Sequence, residues 1–364
     1  MAYRFKLREP LGKGVRRIGL EQIEQVEAKL RAEDDVATAV HDARRCLKRL
    51  RALLRLIRPG LEAEVYRNET QRIAQVGRML AGARDRFVMC QTVARVEKAT
   101  GPLGDDCAAK IIALITDGHD LTAPPDAETR REALRKLGIS RKFFSGSTLR
   151  GLTMTDVWEG LEKSYRKNRQ ACKEAYRRPT DENFHAWRKA VQQHWRHMSL
   201  LSRAWPEAMT ARAAEAKAIS QILGEDHDLA VLVAFVSQNR DKLPEEAVDS
   251  LVQHAKSAQK DLRALAKLHG DRLLLEKPED LVGRISGYWD ATKDLLRSED
   301  HVFQTSGGPT DPGAVASAPP ASGEQAADVQ ADDANAPEAS PPEPEEPIRL
   351  DRLTRRSVRK RASA

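Results

Sequence analysis

Aromatic residues make up only 5% of this 364-residue chain. Stacking platforms for single-stranded nucleic acid are built from such residues, so that mode of binding is disfavoured. Four cysteines (Cys46, Cys90, Cys107, Cys172) are scattered without a Cys-x-x-Cys spacing. They indicate no disulfide framework and read as reduced, small core residues of a cytoplasmic protein. No stretch approaches the roughly 18 apolar residues of a membrane span, and the N-terminus has no apolar run of signal-peptide length. A soluble, cytoplasmic protein with no membrane partner is expected. P-loop, dinucleotide-binding, nucleophile-elbow and His-Glu-x-x-His motifs are all missing, and alternating β-branched runs are few. Among the histidines, His194 and His197 are spaced i,i+3 but lack a third ligand and point towards an apolar arc. Glu225-Asp226-His227-Asp228 likewise has no defined metal geometry. The expectation is therefore no catalytic residue, no metal and no cofactor.

What remains is almost wholly helical in period. In the first half, apolar spacing predicts helices at Leu20–Arg31, Val36–Ile57, Ala63–Leu80 and Asp85–Lys98. Arg58-Pro59-Gly60 and Thr100-Gly-Pro-Leu-Gly104 act as terminators. In the second half it predicts helices at Trp158–Arg177, His185–Ala204, Ala208–Leu223, Asp228–Gln238, Glu245–Leu268 and Pro278–Leu296. Between them, 118–151 is rich in Pro, Gly and Ser and carries one short helix, Glu128–Leu137. From 301 the composition turns to Pro, Ala, Ser, Asp and Glu without periodicity, and 301–348 reads as disordered. The segment 301–364 holds seven basic and ten acidic residues, so of the net +7 about +10 belongs to 1–300. An excess of that sign points to an anionic partner.

Two helices concentrate this charge. At about 100° per residue, His41, Arg44, Lys48, Arg51, Arg55 and Arg58 share one arc, adjacent to the apolar arc of Cys46, Leu47, Leu50, Leu53, Leu54 and Ile57. A basic arc that flanks the buried one lines a groove; a merely solvated face would lie opposite it. Like charges at i,i+4 repel, and a bound polyanion relieves that repulsion. Arg45 and Arg49 fall on the far side. In the second half, His185, Arg188, Arg196 and Arg203 recur on one side with Lys189 nearby, and the positions matching Lys48 and Arg49 are Gln192 and Gln193. The site should be unequal, stronger on the first helix. The histidines are 144 residues apart. A second landmark, Leu80-Ala-Gly-Ala-Arg84-Asp85 against Leu223-Gly-Glu-Asp-His227-Asp228, repeats at an offset of 143. Each copy reads as a helix end, a tight turn and an Asp that caps the next helix. Carboxylates look sparse near the basic stripes, leaving nothing obvious to hold Mg²⁺.

The motifs H-x-x-R-x-x-x-K-R-x-R (His41 to Arg51), L-x-x-x-R-D (Leu80 to Asp85), F-H-x-W-R-K (Phe184 to Lys189) and L-G-x-x-H-D (Leu223 to Asp228) resemble the CHAD family of histidine-containing helical domains. The resemblance covers about 10–300, with halves at 10–117 and 152–300, a linker at 118–151, and the tail 301–364 outside. It implies an all-α fold of two antiparallel helical bundles related by a pseudo-twofold around a central basic cleft. It implies binding of inorganic polyphosphate and association with polyphosphate granules. Carried over by position, the binders are His41, Arg44, Lys48, Arg51, Arg55, His185, Arg188 and Lys189. Arg196 joins them from the helical wheel, and Arg16, Arg17, Arg49 and Arg203 rank lower, the first two because helix N-termini attract anions. Basic residues expected at 192 and 193 are replaced by Gln. The competing readings are a nucleic-acid binder using the same basic surface and a metal-dependent polyphosphate or triphosphate hydrolase.

Overall fold

The computed structural model describes residues 3–32, 36–101, 106–118 and 125–305. Among these residues the secondary structure is eleven α-helices with three short 3-10 turns and no strand. In the first half these are α1 (Leu11–Arg31), α2 (Val36–Leu56), α3 (Ala63–Met79), α4 (Gly82–Thr100), α5 (Cys107–Thr116) and α6 (Ala127–Ser145). The second half holds α7 (Met154–Arg177), α8 (Asp181–Leu200), α9 (Pro206–Gln238), α10 (Glu245–Leu273) and α11 (Pro278–Thr305). The fold is the expected all-α arrangement of two pseudo-symmetric bundles. α1 and α7 begin 143 residues apart, as do α3 and α9.

The first bundle packs α1 on α2 and α3 on α2, with α6 closing over α1 and α3. The second packs α8 against α7 and α9, α10 along α9, and α11 on α7. The halves join where α2 meets α8 and α7, and where α4 meets α9. Gly160 makes one of these contacts possible. A Cβ at that position would lie 1.8 Å from the Leu56 carbonyl oxygen, so only a bare backbone lets α7 approach the end of α2 so closely. The apolar arc foreseen on α2 is buried as Cys46, Leu47, Leu50, Leu53, Leu54 and Ile57. All four cysteines are free, three of them buried.

Several boundaries differ from the sequence reading. α1 starts at Leu11, directly after Pro10, so Arg16 and Arg17 lie inside the helix and not before it. The expected start at Leu20 falls after Gly19, but Gly19 is a packing position within the helix: a Cβ there would collide with the Phe144 ring at 2.1 Å. α6 is 19 residues long and runs through Gly138. α5 was not foreseen. The largest difference is α9, one continuous 33-residue helix, where the sequence suggested a turn at Gly224. Asp226 and Asp228 therefore cap nothing. In the first half the break is real, yet the residue capping α4 is Ala81, with Asp85 inside the first turn. α11 continues to Thr305, past the composition change at 301. The rest of the tail, 306–364, lies outside the described residues, as do 119–124 of the linker and 102–105 of the Gly-Pro-Leu-Gly terminator.

Candidate functional site

α2 and α8 cross at the centre of the molecule. His197 on α8 is fully buried, and its Nε2 lies 3.1 Å from the Ala52 carbonyl oxygen of α2. Near the same crossing, Arg55 Nη1 donates to Gln193 Oε1 at 2.6 Å. The two basic helices thus share one site across the halves.

Lys48 stands at the middle of this site. Its side chain is accessible to water, yet its ammonium pKa is pulled down to about 8, first by burial and then by Arg196, Arg188 and Arg44. A group that water reaches but protein surrounds sits in a cleft, and here cations from both helices converge on it. Arg51 is lowered in turn by burial and by Arg55, and Lys189 by burial and by Arg51. His41, exposed on the first turns of α2, is shifted down by burial and by Arg84. Among the described residues, Lys48, Arg51, Arg55, Arg188 and Lys189 have no carboxylate within ion-pair distance. Like charges held together without counter-charge raise the free energy of the empty protein, and an anion lowers it.

Arg188 lies over Gly224 of α9, where a Cβ would come within 3.1 Å of its Nη2. Its Nε is buried and has no hydrogen-bond partner. The second-half histidine, His185, stacks on His227 with ring centroids 4.0 Å apart. Burial, followed by His227, pushes its pKa down to about 4. It is a neutral group near pH 7, able to donate or accept a hydrogen bond but not to supply charge.

One end of the cleft is acidic, contrary to the expectation that carboxylates would be sparse. Asp85 of α4 pairs with Arg44 at 3.2 Å, and Asp228 of α9 pairs with Arg95 at 3.6 Å. Arg44 also donates to the Leu80 carbonyl oxygen at 3.2 Å. These groups are distant from α2 and α8 in sequence and reach the cleft because α4 and α9 pack together at its end. The same contact brings in Arg84, which the sequence reading omitted although it lies within the quoted L-x-x-x-R-D motif. Arg84 is lowered by burial and by Arg44, which places it beside the basic cluster.

Five other basic residues do not join the accessible cluster. Arg196, expected as a binder, is only 8% exposed. It donates to the Gln192 carbonyl oxygen at 2.7 Å and lies over the Trp195 ring. The repeat explains this: Arg196 matches the buried Ala52 and not Arg51, so its charge acts on Lys48 from inside the protein. Arg17 is tied to Glu9 by two hydrogen bonds of 3.1 and 2.7 Å and serves the N-terminal packing. Arg49 lies over the Tyr3 ring, whose hydroxyl donates to the Arg49 carbonyl oxygen. Arg203 is exposed on the turn beyond α8, and Arg16 is exposed on α1. His194 and His197 are buried, as packing histidines should be. Among the described residues, no group of three or more His, Cys, Asp or Glu side chains is placed to hold a metal ion.

The structure is an all-helical pair of bundles in which cations of the two repeated basic helices gather where α2 packs on α8. The CHAD domain family model matches residues 17–237, more than half the chain, and the protein belongs to that family, one associated with polyphosphate. Among solved structures, PptA from Streptomyces chartreusis is similar, with a TM-score of 0.49 and 16% sequence identity over 74% of this chain and 100% of its own. No curated protein matches the sequence. Among the described residues, no helix is long and apolar enough to cross a membrane.

Proposed function

We propose that this protein binds inorganic polyphosphate, without turning it over, in the cleft between α2 and α8. The observation that carries the reading is the convergence on water-accessible Lys48 of Arg44 from its own helix and Arg188 and Arg196 from the other half. Arg44, Lys48, Arg51, Arg55, Arg188 and Lys189 supply charge-assisted hydrogen bonds to successive phosphoryl oxygens. His41 and His185 add neutral contacts at the two ends. Arg84 extends the set, and Arg44 exchanges Asp85 for phosphate when the chain enters. A flexible polyanion without bases suits a cleft with few exposed aromatic rings. In the cell, such binding would place the protein in the cytoplasm at polyphosphate granules.

Competition identifies the ligand class. Long-chain polyphosphate, RNA and duplex DNA are matched for phosphate concentration at near-physiological salt and set against a labelled polyphosphate probe. Polyphosphate is expected to displace the probe at least tenfold more effectively than either nucleic acid. Equal or better displacement by RNA or DNA sinks the reading. Phosphate release on adding Mg²⁺ or Mn²⁺ shows instead that the cleft belongs to a hydrolase.

A further inference from the structure

A second basic surface lies on α3, and apart from Arg58, the last member of the basic arc on α2, its residues fall outside every motif that points to the central cleft. Around the turn Arg58–Gly60 and the outer face of α3 there is a depression of about 470 Å³. Arg58, Tyr66, Arg67, Thr70, Gln71 and Arg78 line it, and no carboxylate does. Arg67 and Arg78 are eleven residues apart, three helical turns, and stand on one face about 16 Å apart along the axis. Arg58 lies over the Tyr66 ring at 5.1 Å, which fixes its guanidinium at the rim. The Thr70 hydroxyl is buried against the groove and has no hydrogen-bond partner in the protein.

The other side of the same helix behaves differently. There Arg72 is paired with Glu69, the ordinary fate of an arginine on a packed helix. Arg58, Arg67 and Arg78 have no ion pair among the described residues. The groove also adjoins the central site, because Tyr66 and Arg78 both act electrostatically on Arg51. From Arg44 through Arg51 to Arg78, basic groups follow one another from α2 onto α3.

We propose that the α3 groove is a second phosphate-binding subsite, in which Arg58, Arg67, Arg78 and the Thr70 hydroxyl hold the part of a long polyphosphate chain that leaves the central cleft past Arg51. This rests on the proposed function and adds a chain-length preference to it. A chain of a few phosphates fills only the cleft. A chain of tens of phosphates also occupies α3.

The test compares tripolyphosphate with a chain of several tens of phosphates, titrated against the wild-type protein, the R67Q/R78Q double variant and an R67K/R78K control. Both positions are exposed, so the substitutions leave the packing intact. For the long chain, the double variant is expected to bind about tenfold more weakly, and the slope of log affinity against log salt should fall by nearly two, about 0.9 per lost phosphate contact. Tripolyphosphate affinity should stay within twofold, and the lysine control should recover most of the long-chain affinity. Unchanged long-chain binding in R67Q/R78Q overturns the subsite while leaving the central cleft standing. An equal loss for both chain lengths overturns it as a chain-length device. If the wild-type protein binds neither chain, the proposed function falls and the subsite falls with it.

Discussion

α2 and α8 descend from one pattern, yet they do different work. On α2 Arg44, Lys48, Arg51 and Arg55 face the cleft, and of these four Arg44 alone is tied to a carboxylate among the described residues, while Arg45 on the far side pairs with Asp42. On α8 the matching positions have become Gln192, Trp195 and Ser199. Of the remaining cations Arg196 is buried and Arg188 half-buried beneath α9, while Lys189 stays exposed. His194 and His197 fill the core where α2 has Leu50 and Leu53. The α2 copy presents the more accessible cations, and the α8 copy backs them. Backing is not idle, since Arg188 and Arg196 are the charges that most lower the proton affinity of Lys48. One copy of a repeated helix thus acts on the other through its field as well as by packing.

The largest effect should come from removing the binding face. Replacing Arg44, Lys48 and Arg51 together with Ala deletes three charge-assisted contacts of about 1.5 kcal/mol or more each, so affinity for long-chain polyphosphate should drop roughly a thousandfold. Calorimetric titration measures the loss, and circular dichroism should show unchanged helix content. An equally large loss from R188A and K189A together would break the comparison, because it would make the two helices equal partners.

A smaller effect follows from the Lys48 ammonium. A bound polyanion favours its charged form, so affinity should be flat from pH 7 to about 8, then fall by up to tenfold per unit as the empty site loses its proton. Stability of the unliganded fold moves the opposite way. The folded-state value of about 8 lies below the ordinary 10.5, so the unfolded chain binds more protons between those values and stability rises with pH there. It is lost again as pH falls through about 8. Binding curves at pH 7, 8 and 9 for wild type and K48R check this, since the arginine should remove the decline.

The mildest change sharpens the comparison from the other side. Gln192 is partly exposed and occupies the position of Lys48 in the repeat. Q192K should strengthen polyphosphate binding about tenfold or less, near 1 kcal/mol for one added charged contact. The salt dependence should steepen alongside. Weaker binding would mean that added charge on α8 only increases repulsion among cations already crowded there.

Much of this arrangement was legible in residue order. The apolar arc of α2, the adjacent basic arc and the 143-residue register come from periodicity, which local sequence carries. The acidic end of the cleft was not legible, because Asp85 and Asp228 lie outside the basic stripes and meet them only through tertiary packing of α4 on α2 and α9 and of α9 on α8. Arg196 misled for a related reason. On a wheel it belongs to the basic side of α8, but the crossing at Ala52 buries that side. Gly224 read as a turn because glycine usually breaks helices, while its place inside α9 makes room for the Arg188 guanidinium. The α3 arginines carry no motif, and only the fold sets them beside Arg51.

Lysine footprinting tests the central claim most directly. The protein is treated briefly with an amine-acylating reagent near pH 7.5, with and without long-chain polyphosphate, and each lysine is read by mass spectrometry. With an ammonium pKa of about 8 and an accessible side chain, Lys48 should label faster than ordinary surface lysines in the free protein. On adding polyphosphate it should become the most strongly protected, with Lys189 second and Lys163, paired with Glu159 on α7, unchanged. Protection centred elsewhere, with Lys48 still labelled at its free rate, would contradict a binding site between α2 and α8.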